Sequence, residues 1–168
     1  MQEYLSEAIV LDKEMNGDSD SRIALFTKRF GKLTPKARSL RKITSKLSGH
    51  LEPGNLVLAR LVEKNGLQVV DALKTSRVSV NPPDLYFLGR ILAEAEPEPI
   101  LWQLLSSGSF NWREILKILG WDPNEAICAI CHKGMVAAFA VGSQEFFCEE
   151  CVSKLEEKEV ILIGHADG

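Results

Sequence analysis

With 168 residues, 45% of them hydrophobic and 26% charged, the chain has the balance of one globular domain or two small ones, not of a disordered segment. The net charge of −3 hides a split: residues 1–80 carry 14 basic and 9 acidic side chains, residues 81–168 carry 6 and 14. Such asymmetry points to a basic half that faces a polyanion, against the plainer alternative of uneven surface charge, and no apolar stretch approaches the ~18 residues of a membrane helix.

The opening MQEYLSEAIV lacks the basic n-region and apolar run of a signal peptide, so the chain is expected to be soluble and cytoplasmic. LSEAIVLD (5–12) reads as a first strand, and MNGDSD as a polar turn. RIALFTKRF (22–30) reads as a second strand, broken at Gly31, and KLTPKARSL continues extended as a third. KITSKLSGH (42–50) suits a single helical turn. NLVLARLVE (55–63) alternates, with Leu56, Leu58, Arg60 and Val62 on one face and Val57, Ala59 and Leu61 on the other. Asn65-Gly66 then joins it to LQVVDAL, the pair that most strongly signals a tight hairpin. Five strands with a short helix between the third and fourth predict a small Greek-key barrel of the OB type over residues 1–80.

Past Pro82-Pro83 the pattern turns helical, with Asp84 as candidate N-cap and Leu85, Leu88, Ile91 and Leu92 at helical spacing. Gly89 weakens this helix, and Pro97 and Pro99 stop it. ILWQLL starts another, and FNWREILKILGW a third, with Phe110, Ile115, Leu116 and Leu119 on one stripe and Gly120 as C-cap. The expected architecture is therefore α+β: a barrel over 1–80, then a small helical domain over 81–168 that holds a zinc finger at 128–151.

That finger is read from CAICHKGMVAAFAVGSQEFFCEEC, in which two C-x2-C pairs use all four cysteines of the chain. Each pair sets two thiolates on one knuckle, and two knuckles complete a tetrahedron around Zn²⁺, so Cys128, Cys131, Cys148 and Cys151 are the expected ligands of one ion. The alternative, a pair of redox C-x-x-C motifs, wants a βαβ context that the sequence does not offer. Four sulfurs close the shell, which makes the zinc structural, since a catalytic ion keeps a position open for water. His132 follows Cys131 but is not required as a ligand. The ion would anchor a hairpin in which MVAAFAV turns at Gly142 toward EFF.

Signatures of catalysis are missing. The one Gly-Lys pair, Gly31-Lys32, is followed by Leu33 and not by Ser or Thr, and neither G-x-S-x-G nor G-x-G-x-x-G occurs. The expectation is a protein that is not an enzyme. A site assembled from carboxylates distant in sequence would be the rival, marked by a second metal.

From Lys28 to Lys46 the chain carries eight basic residues and no acidic one. Lys28, Arg29, Lys32, Lys36, Arg38, Arg41, Lys42 and Lys46 would border one groove of the barrel and draw a phosphate backbone through counterion release. Aromatic residues are sparse in this half. Phe26 is expected in the core and Phe30, at the Gly31 turn, is the better stacking candidate, so binding should be mainly electrostatic and not selective for sequence.

AIVLDKE, GDSDSRIALFTKRFGK and SKLSGHLEPGNLVLARL together resemble the N-terminal barrel of the RecO family of bacterial recombination mediators. WREILKILGWDPNEAICAICHKG, with CEEC downstream, is similar to that family's last helix running into its zinc finger. The resemblance covers about residues 4–80 and 110–152. It implies a cytoplasmic, nucleoid-associated protein that binds single-stranded and duplex DNA, anneals strands, and works with RecR, single-strand-binding protein and RecA. It also implies that Arg22, Lys36, Arg38, Arg41, Lys42 and Lys46 lie on the basic barrel face and that the four cysteines bind the metal. The helical region over 84–120 is shorter than the family's, and helices normally follow the finger. A short member and a truncated chain would both look like this, and the shortening bears on contacts made through the family's C-terminal region, such as that to single-strand-binding protein. A zinc-ribbon adaptor that contacts only proteins is the alternative function.

Overall fold

The structure, a computed structural model, describes residues 1–17, 20–38 and 45–164. The chain divides into two compact units, Met1–Gly108 and Ser109–Gly168. The change of style in the sequence falls near residue 81, whereas the packing boundary falls after Gly108, so the first two helices pack with the strands.

In the first unit, β1 (Gln2–Asn16), β2 (Asp20–Thr27), β3 (Gly31–Leu33), β4 (Lys36–Arg38), β5 (Asn55–Glu63) and β6 (Leu67–Arg77) form one sheet. Pairings run β1–β5–β6–β4–β2 and return from β2 to β1, a closed cycle with β3 appended to β2. All are antiparallel except β4 with β6, which meet at Lys36 and Gln68. One strand serves both ends of the cycle because β1 is long. It pairs with β5 over Gln2–Ile9 and with β2 from Ala8 onward, and a bulge between Val10 and Asp12 bends it from one partner to the next. The expected third strand is split at Thr34-Pro35 into β3 and β4, since proline has no N–H to give to a ladder.

Inside the cycle, Ala8, Val10, Ile23, Leu25, Ala37, Val57, Ala59, Leu61, Val69 and Ala72 alternate inward from five strands, and Leu51 closes the core. Four alanines among them suit a narrow interior, where larger side chains would overfill the space. Of the helical turn expected over 42–50, residues 42–44 lie outside the described residues. A single turn follows, closed by the Leu51 N–H donating to the Leu47 carbonyl at 3.0 Å.

The Lys64–Gly66 loop joins β5 to β6, with Asn65 at φ 55° and Gly66 at φ 101°. Both values are positive, as the Asn-Gly pair predicted. A side chain at Gly66 would meet open space, so the cost of filling it is purely conformational. Gly66→Val should therefore lower stability by about 1–2 kcal/mol, a fall of several degrees in the thermal midpoint of this unit. An unchanged melting curve would refute the strain argument.

Helices α1 (Pro82–Ile91) and α2 (Pro99–Ser106) complete this unit. The cap of α1 is Asn81 and not Asp84: the Asn81 side chain accepts from the Asp84 N–H at 2.9 Å, and both prolines sit inside the first turn. Proline fits there because its missing N–H is one that a helix start leaves unbonded. Leu85, Leu88, Ile91, Leu101 and Leu105 are buried, and Phe26 of β2 meets Trp102 of α2 at 5.7 Å between ring centroids. Between the helices, residues 94–96 lie along β3. The Ala95 N–H donates to the Lys32 carbonyl at 2.8 Å, and the Lys32 Nζ pairs with Glu94 at 3.3 Å.

The second unit holds α3 (Trp112–Ile118), β7 (Ala138–Ala140), β8 (Glu145–Phe147), α4 (Glu149–Val152) and β9 (Val160–Leu162). The Asn111 side chain caps α3, accepting from the Arg113 and Glu114 N–H groups. Its far end closes with Trp121 N–H to Leu116 carbonyl at 2.8 Å and Gly120 N–H to Lys117 carbonyl at 3.1 Å, the Schellman pattern. β7 and β8 are the expected hairpin, and β9 adds a third strand beside β7. Trp121, Phe139 and Phe146 stack through this small core at 5.2 and 5.0 Å. Among the described residues no helix is long and apolar enough to cross a membrane.

Candidate metal centre and candidate nucleic-acid surface

Two short turns build the metal centre. In the first, the Cys128 N–H donates to the Lys133 carbonyl at 2.8 Å and the His132 N–H to the Cys128 carbonyl at 2.9 Å. His132 turns this knuckle at φ 62°, and the Ala129 N–H ties it to β8 through the Phe146 carbonyl at 2.9 Å. In the second, β8 runs into Cys148, which begins α4. The N–H groups of Cys151 and Val152 both donate to its carbonyl, at 3.2 and 3.0 Å.

The result brings the four sulfurs within 4.8 Å of one another, with Cys131 Sγ and Cys148 Sγ at 3.6 Å. A tetrahedron of sulfurs each ~2.3 Å from one ion has edges of about 3.8 Å. All four cysteines are free thiols. Cys128, Cys148 and Cys151 are buried beside Ala140 and Phe147, while Cys131 is exposed.

Their protonation points the same way. Burial pushes the Cys128 thiol up, but hydrogen bonds from the backbone of Cys131, Cys148 and Ile130 outweigh it, and its pKa falls to about 6. Burial, then hydrogen bonds with Cys148, Cys131 and Cys128, push the Cys151 thiol up to about 12. Four negative sulfurs resist coexisting without a cation, and a bound divalent ion inverts that balance. The cysteines can thus hold a metal ion, and among the described residues they are the one group of three or more such side chains brought together.

The basic residues separate into two sets. Arg22, Lys36 and Arg38 are exposed, and alternation with buried Ser21, Ile23 and Ala37 turns all three outward. Arg22 stands directly opposite Lys36, and Arg38 opposite Asp20. On its other side Arg22 faces Glu14 of β1. Lys28, Arg29 and Lys32 lie toward the other end of β2, and each has a partner. Lys28 pairs with Glu7 at 3.0 Å, Arg29 donates to the Leu5 carbonyl at 3.1 Å, and Lys32 is half-buried against Glu94. Lys46 is exposed, and Arg41 and Lys42 lie outside the described residues.

The run from Lys28 to Lys46 is free of carboxylates along the chain but not across the sheet. β1 brings Glu7 to Lys28, β2 sets Asp20 opposite Arg38, and the segment after α1 brings Glu94 to Lys32. Phe26 is fully buried, as expected. Phe30 is half-buried and meets Tyr4 edge to face, with centroids 5.1 Å apart. Tyr4 is one of the three aromatic residues of the first 80, but it lies 26 positions from Phe30 in sequence, and only the pairing of β1 with β5 and β2 brings the two together.

A closed cycle of strands flanked by two helices, followed by a unit with a four-cysteine centre, defines a two-part α+β protein. The family model described as "Recombination protein O N terminal" matches residues 1–78. The chain is similar to the "DNA repair protein RecO" of Dehalococcoides mccartyi, 30% identical over 89% of this chain and 70% of the relative. It is likewise similar to those of Thermodesulfovibrio yellowstonii, 27% identical over 89% and 70%, and Myxococcus xanthus, 30% identical over 64% and 49%. The chain belongs to the RecO family of DNA repair proteins.

Proposed function

We propose that this chain is a non-enzymatic mediator of recombinational repair that binds DNA through an OB-type barrel within residues 1–80. Arg22, Lys36 and Arg38, with Lys46, Arg41 and Lys42, contact phosphates, and Lys28, Arg29 and Lys32 contribute from the far end of β2. Single strands are the main ligand and duplex a second. One structural Zn²⁺ is held by Cys128, Cys131, Cys148 and Cys151 and crosslinks the two knuckles, within the second unit, Ser109–Gly168. RecR, single-strand-binding protein and RecA are the partners that family membership brings forward, and the cytoplasm is the setting.

The observation that carries the reading is the Arg22–Lys36 pair, two like charges directly opposite on neighbouring strands and both outward. Like charges so placed repel, Glu14 offsets Arg22 from one side only, and an anion laid across the pair relieves the rest. Phosphates of a nucleic-acid backbone supply that anion without any demand on sequence.

The test is a binding titration across salt. Each neutralised phosphate contributes about −0.7 to the slope of log K against log salt for single strands. Lys36→Gln with Arg38→Gln should flatten the slope by about 1.4 and weaken all sequences alike. An unchanged slope in a folded variant would remove these residues from the interface. A parent protein that binds neither single strands nor duplex would hand the function to a protein-binding zinc adaptor.

A further inference from the structure

At the end of β2 remote from Arg22, three side chains frame a small cleft. Tyr4 and Phe30 form two walls, their rings at 85°. The guanidinium of Arg29 lies 5.1 Å from the Phe30 centroid. Leu33 and Leu67 line the cleft, and Glu63 stands beside Tyr4. The volume, about 370 Å³, lies at the low end of the ~300–1,000 Å³ of ligand clefts, so it suits one flat group and not a stack.

Each wall is held in place by the fold itself. The Tyr4 hydroxyl donates to the Glu63 carboxylate at 2.9 Å, the Phe30 N–H to Thr27 Oγ1 at 3.0 Å, and the Arg29 N–H to Ser6 Oγ at 3.2 Å. A cleft already set in this way loses little entropy when it is filled. Its chemistry is mixed in a telling manner. Aromatic rings favour a flat π-system. The Glu63 carboxylate repels an anion inside the cleft but accepts from N–H groups, while the guanidinium at the side attracts an anion just outside. A flat, uncharged group with N–H donors, attached to an anion, meets all three demands, and a nucleobase on its phosphate is such a group.

We propose that this cleft receives a single unpaired nucleobase of a bound single strand, packed against Tyr4 and Phe30, with Arg29 toward its phosphate. The inference rests on the DNA-binding reading above and adds a contact to the base. Arg22 lies five residues from Thr27 at the end of β2, about 17 Å along an extended strand, and Arg29 follows in the turn, so one single strand can engage both places.

The test compares an oligodeoxynucleotide with the same backbone lacking its bases, each titrated against the full chain across salt. The parent should prefer the base-bearing strand by roughly 5- to 100-fold, with little change in that ratio as salt rises. Phe30→Leu and Tyr4→Leu, which keep apolar bulk, should each erase most of the preference and leave the salt slope intact. Tyr4→Phe, which keeps the ring, should retain it. A parent that binds both strands with equal affinity overturns the proposal and leaves the cleft to an aromatic side chain of a protein partner. So does a Phe30→Leu variant that keeps the full preference. A parent that binds no DNA at all overturns the reading beneath it, a result recognisable because both strands then fail together.

Discussion

Removing the zinc proposed for the four-cysteine centre is expected to unfold residues 127–155 and leave the strand cycle of residues 1–108 intact. The reason lies in the shortness of what surrounds the centre. β7 and β8 have three residues each and α4 has four, lengths that do not persist without tertiary support. The buried cluster at the centre consists of Cys128, Cys148 and Cys151 with Ala140 and Phe147, and Val152 and Leu155 pack against it, so three of its five buried members are the ligands themselves. A structural zinc contributes an apparent ~10–16 kcal/mol to such modules, as much as or more than the whole stability of an ordinary domain. Freshly purified protein should carry one zinc per chain. Chelation, or Cys151→Ser, should abolish amide protection across 127–155, with no comparable loss at the β1–β5 ladder. Binding should weaken as pH falls, because the ligands must shed their protons to bind. Metal-free protein that keeps those amides protected would defeat the prediction, and so would two disulfides in place of the ion.

What could be read from the chain was whatever a few neighbouring residues decide. Asn65-Gly66 specifies a turn by its own backbone preferences, and C-x2-C specifies a knuckle by the reach of two side chains from one turn. Gly120 marks a helix end in the same local manner, and the hairpin of β7 and β8 followed from a turn between two apolar runs. The start of α1 was misplaced by three residues because Asp84 and Asn81 are both capping residues, and the choice depends on whether the prolines lie before the helix or within its first turn. Features made by distant pairing were not legible. Glu7, Asp20 and Glu94 reach the basic run only through the sheet and the segment after α1, so a stretch without acids in sequence gains them in space. Tyr4 meets Phe30 for the same reason. β9 was hidden because VIL follows a charged stretch, and its partner Ala138–Ala140 lies some twenty residues back. That α1 and α2 pack with the strands depends on which apolar face they cover, and Phe26 meeting Trp102 is a fact of three dimensions.

Gly31→Ala is expected to be the most damaging single methyl in the first unit. Gly31 opens β3 at φ 71°, pairs with Thr27, and its carbonyl accepts from the Thr27 hydroxyl at 2.7 Å. A Cβ there would fall on the backbone carbonyl of Glu96 and 2.6 Å from its nitrogen. Backbone atoms cannot swing aside as the tip of a lysine does, least of all where Ala95 and Lys32 bond the same segment to β3. Two costs therefore add: about 1–2 kcal/mol for a left-handed alanine and about 1–3 kcal/mol for displacing residues 94–97. Their sum, on the order of 2–5 kcal/mol, is a large fraction of the stability of a domain. Gly66→Ala is the control, because Gly66 has the same sign of φ and open space around it, so it bears only the first cost. Thermal unfolding of the two variants side by side isolates the steric part. Amide exchange at Ala95 then tells how the clash is relieved, since a segment that lifts away from β3 frees the Ala95 N–H from the Lys32 carbonyl. Ala95 and Pro97 also line the cleft of Tyr4 and Phe30, so the same variant should lose base preference while Gly66→Ala keeps it. Equal midpoints for the two variants would show that Glu96 does not hold β3 and that the contact is dispensable.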